Sequence, residues 1–420
     1  MNRLCASSQV ILLTAVAFAC LVFGSGTAWG AAGDLDPSFG GDGVAAIDFK
    51  YAIASAVAIQ EDGAIVAAGT RGSEHQRFTT ARILSDGSAD TSFGGDGLVS
   101  TTFAHSSAAA AMLIQPNGAI VVAGRQGHQI AVARYLANGS LDPSFSADGT
   151  FTFKFNNSSS AAVDVGLLPD GDLLVGAEVV RSRRVLLGLV ALAPDGTLDA
   201  SFGENGRTTL PIGKDALVGA VAASDSGIVG AASNGPTMSV IRWGLDGTLD
   251  PTFGSGGVTR IPFRRGRDPL PRDIALDESG GVAVAATVWG RTFLPTAALL
   301  RLTSAGDLDT SFSSDGIARG RGGINVGAGV AIQGDGNIVL AGGQCCGGGS
   351  EVTYAVERFA SDGSPDTTFG GDGTVVTTTP ETQYTSAGAT DVAIQSDGKI
   401  LTVGPLAYIY GFAAVRYLAS

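Results

Sequence analysis

Short apolar runs, each cut off by a turn signal, follow one another along the whole chain. Between Ala108 and Phe155 they occupy 108–115, 119–124, 130–136 and 149–155, and Pro116-Asn-Gly118 joins the first two. Runs of this length, rich in Ile, Val, Phe and Thr, read as strands, and no part of the unit shows the 3.6-residue period of a helix. Asn-Gly and Asp-Gly recur where the chain must reverse, because these pairs accept the positive φ of tight hairpins. The pattern predicts four antiparallel strands per unit, named a to d in chain order.

The unit recurs. A phrase seen as Leu35-Asp-Pro-Ser-Phe-Gly-Gly-Asp-Gly43, Ala89-Asp-Thr-Ser-Phe-Gly-Gly-Asp-Gly97 and Pro365-Asp-Thr-Thr-Phe-Gly-Gly-Asp-Gly373 is marked by Phe39, Phe93, Phe145, Phe202, Phe253, Phe312 and Phe369. Successive spacings are 54, 52, 57, 51, 59 and 57 residues, a period that belongs to repeat architectures. Strand a is rich in Ala and Gly in every unit, as around Ala54, Ala108, Gly219 and Gly327. Small side chains there suit sheets crowded around an axis, while strand d, with larger residues, lies further out. Four strands per unit repeated radially make a β-propeller, which protects sheet edges by repetition.

The two ends of the chain fit together. Arg134 and Phe145 are joined by Tyr-Leu-Ala-Asn-Gly-Ser-Leu-Asp-Pro-Ser; the chain ends Arg416-Tyr-Leu-Ala-Ser420 and, past its leader, begins Gly33-Asp-Leu-Asp-Pro-Ser-Phe39. Tail placed to head restores the separation. The expected fold is all-β: a seven-bladed propeller of four-stranded antiparallel blades, with the N-terminal strand at 43–49 completing a last blade built from 388–418.

Arg3, the apolar stretch 10–23 and Ala28-Trp-Gly30 before Ala31 read as a cleaved signal peptide over 1–30. Residues 31–420 then form the single mature domain, secreted or held in the periplasm or cell envelope, with no stable membrane span after processing. Of four cysteines, Cys345 and Cys346 remain in the mature chain. They are adjacent, so they form no disulfide framework; the two readings are a vicinal disulfide or a pair of exposed thiols. A formal charge of −13 and a pI near 4.6 exclude nucleic acid as a partner. Nothing in the sequence calls for more than a monomer.

The repeats resemble the delta-60 repeat family of bacterial exported proteins, whose units run approximately AIQ-DGKIVVAG…ARYL-DGSLDTSFGGDG. The resemblance spans nearly the whole mature chain. It implies a propeller-like β architecture and an envelope or extracellular location, and it carries no catalytic residues over.

Residues that repeat read as scaffold. The phrase aspartates Asp36, Asp90, Asp142, Asp199, Asp250, Asp309 and Asp366 are expected to form Asx-turns. Arg82, Arg134, Arg242, Arg301, Arg358 and Arg416, with Ala191 in the third blade, are expected to be buried on the face of Val132 and Leu136 and bonded to turn aspartates or carbonyls. Calcium in this turn is an open alternative to the Asx-turn reading, but the second acid of the phrase becomes Asn205 and Gly256 in two units, so calcium cannot depend on that carboxylate.

Residues that differ lie on the b–c and d–a loops, which share one face of a propeller. This face is rich in arginine against an acidic whole: Arg125, Arg181, Arg183, Arg264, Arg265, Arg291, Arg319 and Arg321 are the candidate ligand-binding residues, and Arg272 closes one of its loops. An anionic glycan or protein is the expected partner. His75, His105 and His128 fall on adjacent loops of this face and are the candidate ligands for zinc or copper, with Glu74 as a further candidate; beyond these metals and calcium no cofactor is required. With no nucleophile elbow, no tryptophan-rich docking repeats and acids that are repeat-born, the chain reads as a non-catalytic binding scaffold. The alternative is a polysaccharide hydrolase or lyase with its site at the mouth of the central channel.

Overall fold

The structure, a computed structural model, describes residues 30–419 apart from 49–50, 157, 265, 291–294, 321–323, 344–352, 379–387 and 407–410. Its strands form seven four-stranded antiparallel sheets, each ordered a-b-c-d, and the chain is a seven-bladed β-propeller. The innermost strands are Ala52–Ile59, Ser107–Ile114, Ser159–Leu167, Leu217–Ser224, Asp268–Leu276, Val326–Ile332 and Asp391–Ile394. Each packs against the next around the axis, and the last packs against the first.

Closure follows the tail-to-head reading. Val44–Asp48 is strand d of blade 7 and pairs with Gly411–Tyr417, with Val44 opposite Val415 and Ile47 opposite Phe412. Outside the strands, Gly33 N–H donates to the Leu418 carbonyl at 2.9 Å. Residues 1–29, which hold nearly all of the expected signal peptide, lie outside the described residues, as do Cys345, Cys346, Arg265, Arg291 and Arg321.

Strand a is small for a steric reason. A Cβ on Gly219 would lie 2.2 Å from the Pro271 carbonyl oxygen of the next blade. Six of these strands also carry a β-bulge, between Ala54 and Ala56, Ala109 and Ala111, Ala162 and Asp164, Val218 and Ala220, Pro271 and Asp273, and Gly327 and Gly329. A bulge sharpens twist and re-aims a side chain. Here it lets the innermost strands bend around the axis.

Between blades the apolar faces interdigitate, and each phrase phenylalanine is at most 1% exposed. All seven phrase aspartates form the Asx-turn: Oδ1 accepts the N–H and the hydroxyl of the Ser or Thr two residues on. In five blades Oδ2 takes the strand-c arginine, through Arg82, Arg134, Arg242, Arg358 and Arg416. A backbone stitch from each phrase to the next blade's c–d turn completes the ring; Gly370 to Ala32 and Gly40 to Asp86 carry it across the termini.

Three details differ from the sequence reading. Leu136 is 41% exposed instead of sharing the buried face of Arg134, because the strand ends at Tyr135 and Leu136 enters the turn, bonded to the Ser140 carbonyl. Arg301 turns from Asp309 to Asp277 in the a–b turn of its own blade. The stretch 178–184 is mostly strand: Leu173–Arg181 and Arg184–Leu192 meet in a two-residue turn at Ser182-Arg183, with φ of 46° and 69°.

Candidate functional site

The face carrying the b–c and d–a loops holds the arginines singled out by sequence. Arg125 stands near the end of Ile120–Gln126, Arg181 ends its strand and Arg264 follows strand d of blade 4; all three are exposed. None of the three side chains makes a hydrogen bond or ion pair among the described residues. Arg183 is held by Asp215, with Nε to Oδ1 at 3.1 Å and Nη2 to Oδ2 at 2.8 Å. Arg319 is held by Asp315 at 2.9 Å. Both pairs are open to water and contribute little to stability, but they use up two of the expected binding cations.

Arg181 also reaches a surface groove of about 650 Å³ outside blades 3 and 4, lined with Phe155, Glu204, Arg207, Trp243 and Leu249 among others. Arg207 stacks over the Phe153 ring at 5.7 Å, in a row where Phe151, Phe153 and Phe155 pack ring against ring. The groove's own rings, Phe155 and Trp243, are buried beneath it, so Arg181, Arg207 and Glu204 carry its chemistry. Sequence reading missed this groove because its parts come from separate elements: Phe155 after strand d of blade 2, Arg181 and Arg207 from strands b and d of blade 3, and Trp243 and Leu249 from strand c and the c–d turn of blade 4.

The three histidines are exposed on neighbouring loops, and His128 Nδ1 lies 3.1 Å from Ser159 Oγ. They do not converge: among the described residues, no group of three His, Cys, Asp or Glu side chains is arranged to hold a metal ion by itself.

Arg272 is not a loop residue. It sits at the bulge of Asp268–Leu276 and lines the central channel, where burial pulls its guanidinium below the usual arginine range. With it are three carboxylates that the sequence reading passed over: Asp164, Asp273 and Asp391, at the column filled by Ala56, Ala111, Ala220 and Gly329 in the other blades. Each is fixed the same way. Oδ1 accepts the N–H of the following residue, and Oδ2 accepts an N–H of the next blade: Val221 at 3.1 Å, Val330 at 2.8 Å and Val57 at 2.8 Å. Burial pushes Asp164 up to about 7 and Asp273 to about 6. Burial raises Asp391 well above the carboxylate range, with repulsion from Asp273 and Asp164 adding to it. The space they face is about 90 Å³, far below the several hundred of an ordinary ligand pocket. Where the channel opens on the phrase face, clefts of about 460 and 650 Å³ are lined by Gln115 and Pro116, with Leu167 and Ser224 in one and Ile59 and Gln60 in the other.

Three segments, 60–93, 115–145 and 333–369, match the family model described as a domain of unknown function (DUF5122) beta-propeller. The match supports a propeller repeat family, and each matched segment runs from the a–b turn to the phrase region. No curated protein matches the chain. Among solved structures, the polysaccharide lyase Uly1 is 12% identical over 87% of this chain and 89% of its own, with a TM-score of 0.44. The PQQ-bound aldose sugar dehydrogenase of Streptomyces coelicolor is 13% identical over 73% and 94%, with a TM-score of 0.42. A Lactobacillus plantarum protein is 11% identical over 74% and 83%, with a TM-score of 0.43. At this level of similarity no activity is transferred.

Proposed function

We propose that this propeller is an exported, non-catalytic binding scaffold that engages anionic ligands through the face bearing Arg125, Arg181 and Arg264. The observation that carries this reading is how the two kinds of charge are used. On the phrase face, in five of the seven blades, carboxylates and arginines satisfy one another and the backbone. In the channel, the three carboxylates are occupied with blade-to-blade hydrogen bonds around a space too small for a sugar ring. That arrangement speaks against a hydrolase or lyase centre there. The exposed arginines of the loop face are left free for a partner, and the groove beside Arg181 brings Arg207 near it as a further cation.

Polygalacturonate serves as a probe for an acidic glycan. Its binding should weaken at least about tenfold between roughly 50 and 300 mM salt, as expected where exposed charges carry the interaction. The triple change Arg125→Ala, Arg181→Ala and Arg264→Ala should abolish the salt-sensitive part with the melting temperature unchanged, and no shortened or unsaturated product should form. Salt-independent binding, binding indifferent to the triple change, or turnover of the polymer would refute the reading.

A further inference from the structure

Five blades hold a guanidinium in the same cage. In blade 2, Arg134 Nε donates to Asp142 Oδ2 at 2.8 Å and Nη2 to Ser144 Oγ at 3.1 Å. Nη1 donates to the Pro194 carbonyl of the next blade, and the guanidinium carbon lies 4.6 Å from the Phe145 ring centre. Arg82, Arg242, Arg358 and Arg416 repeat all four contacts, each with its own phrase Asp, hydroxyl and Phe and the next blade's turn carbonyl.

Blade 3 keeps this cage and lacks its arginine. Asp199 and Ser201 form the usual turn, and Phe202 is buried beneath it. The next blade's turn is stitched on as elsewhere, Gly203 N–H to the Asp246 carbonyl at 2.9 Å, which puts Leu245 in the place of Pro194. The strand-c residue is Ala191.

A second carboxylate faces the same spot. Asp172 occupies the column of Ala119 in blade 2 and Lys399 in blade 7. Lys399 shows where that column points, since its Nζ lies 3.3 Å from Asp36 Oδ2, the counterpart of Asp199. Asp172 is only 8% exposed, and its side chain meets the carboxylate of Asp199. Five blades thus set a tethered arginine against the phrase carboxylate, with Lys399 added in blade 7, whereas blade 3 sets two carboxylates together with no tethered cation.

We propose that the blade 3 cage binds a calcium ion, held between Asp172 and Asp199 with the Ser201 hydroxyl and the Leu245 carbonyl. Every donor is oxygen, two carboxylates match a double charge, and water fills the remaining positions of a six- to eight-coordinate ion. The irregular cage suits calcium better than magnesium, which demands a near-ideal octahedron and gives up its water reluctantly. The site does not depend on the anion-binding face and stands or falls separately from it.

Calorimetric titration of the intact protein with CaCl₂ near neutral pH should find one ion per chain, with a dissociation constant of about 0.1–1 mM, the range of weak oxygen-ligand sites. The melting temperature should rise with CaCl₂ and not with NaCl of equal ionic strength. Ala191→Arg, which supplies the tethered cation found in the other blades, should abolish calcium binding and raise the melting temperature in calcium-free buffer. Asp172→Asn removes a ligand without adding bulk and should weaken binding at least about tenfold; it decides the matter if the arginine variant fails to fold. Absence of calcium-specific heat in the wild type, or one-to-one binding that survives Asp172→Asn, overturns the assignment.

Discussion

Arg134 uses one side chain for four contacts: a carboxylate, a hydroxyl, a carbonyl of the neighbouring blade and the face of a phenyl ring. Its side chain is 7% exposed and that of Asp142 10%. Arg134→Ala therefore leaves a buried carboxylate uncompensated, and chemical denaturation should report a loss of about 3–5 kcal/mol. Lysine is no remedy, since a point charge cannot fill three donor directions of a planar fork; Arg134→Lys should recover less than half of the loss. Arg301→Ala should cost clearly less than Arg134→Ala, because Arg301 is 18% exposed and has left the cage for Asp277. The repeated arginines and aspartates were legible in the sequence because six or seven copies of one residue in one column can only be architecture. The departure of Arg301 was legible only in hindsight: Asp277 stands in the column of Gln60, Gln115, Gln333 and Gln395, and so offers its own blade a competing carboxylate.

At the level of single elements, the innermost strands combine a bulge with a polar lock in blades 3 and 5, and a polar lock in blade 7. The columns of small residues announced where these strands lie, yet they concealed what three of them do. An aspartate in an Ala-rich strand looks like a turn residue until the fold aims it at the next blade, and in blades 3 and 5 it is a bulge, which no local signal in the sequence marks, that does so. The locks have a consequence for acidity. Asp164, Asp273 and Asp391 hold their protons more tightly folded than unfolded, so the stability they supply is complete near pH 4 and is lost as pH rises through about 6 to 7. The phrase aspartates run the other way. Asp36 is held down to about 2, with the Ser38 hydrogen bonds and Arg416 outweighing burial, so its contribution is lost only as pH falls below the ordinary carboxylate range. Stability measured by denaturation across pH should peak on the acid side of neutrality and decline by on the order of 1 kcal/mol or more per channel carboxylate towards about pH 8. Asp164→Asn sets an amide nitrogen, which accepts no hydrogen bond, against one of the N–H groups of Val165 and Val221, and should be less stable than wild type near pH 4.5. Because it cannot ionise, the deficit should shrink towards pH 8; a deficit that stays constant with pH would contradict the assigned lock.

For the whole molecule, the seven-fold order was readable because the phenylalanine period and the matching ends allow one circular arrangement. The groove beside Arg181 was not, since it is assembled from side chains of separate blades that only the closed ring brings together. Closure can be tested by moving the cut. A circular permutant that links the present ends through a short Gly-Ser segment and opens the chain between Ser182 and Arg183 should melt cooperatively within a few degrees of the natural protein. Removing Gly411–Tyr417 should instead abolish the cooperative transition, because Val44–Asp48 then has no partner. The pairing of the first strand with the last also sets a timetable. During synthesis the strand Val44–Asp48 emerges with its hydrogen-bonding edge unsatisfied and must wait for Gly411–Tyr417 before it finds its mate. Until then the nascent protein is an unclasped necklace, exposed to proteases, and the arrival of Gly411–Tyr417 turns it into a durable object.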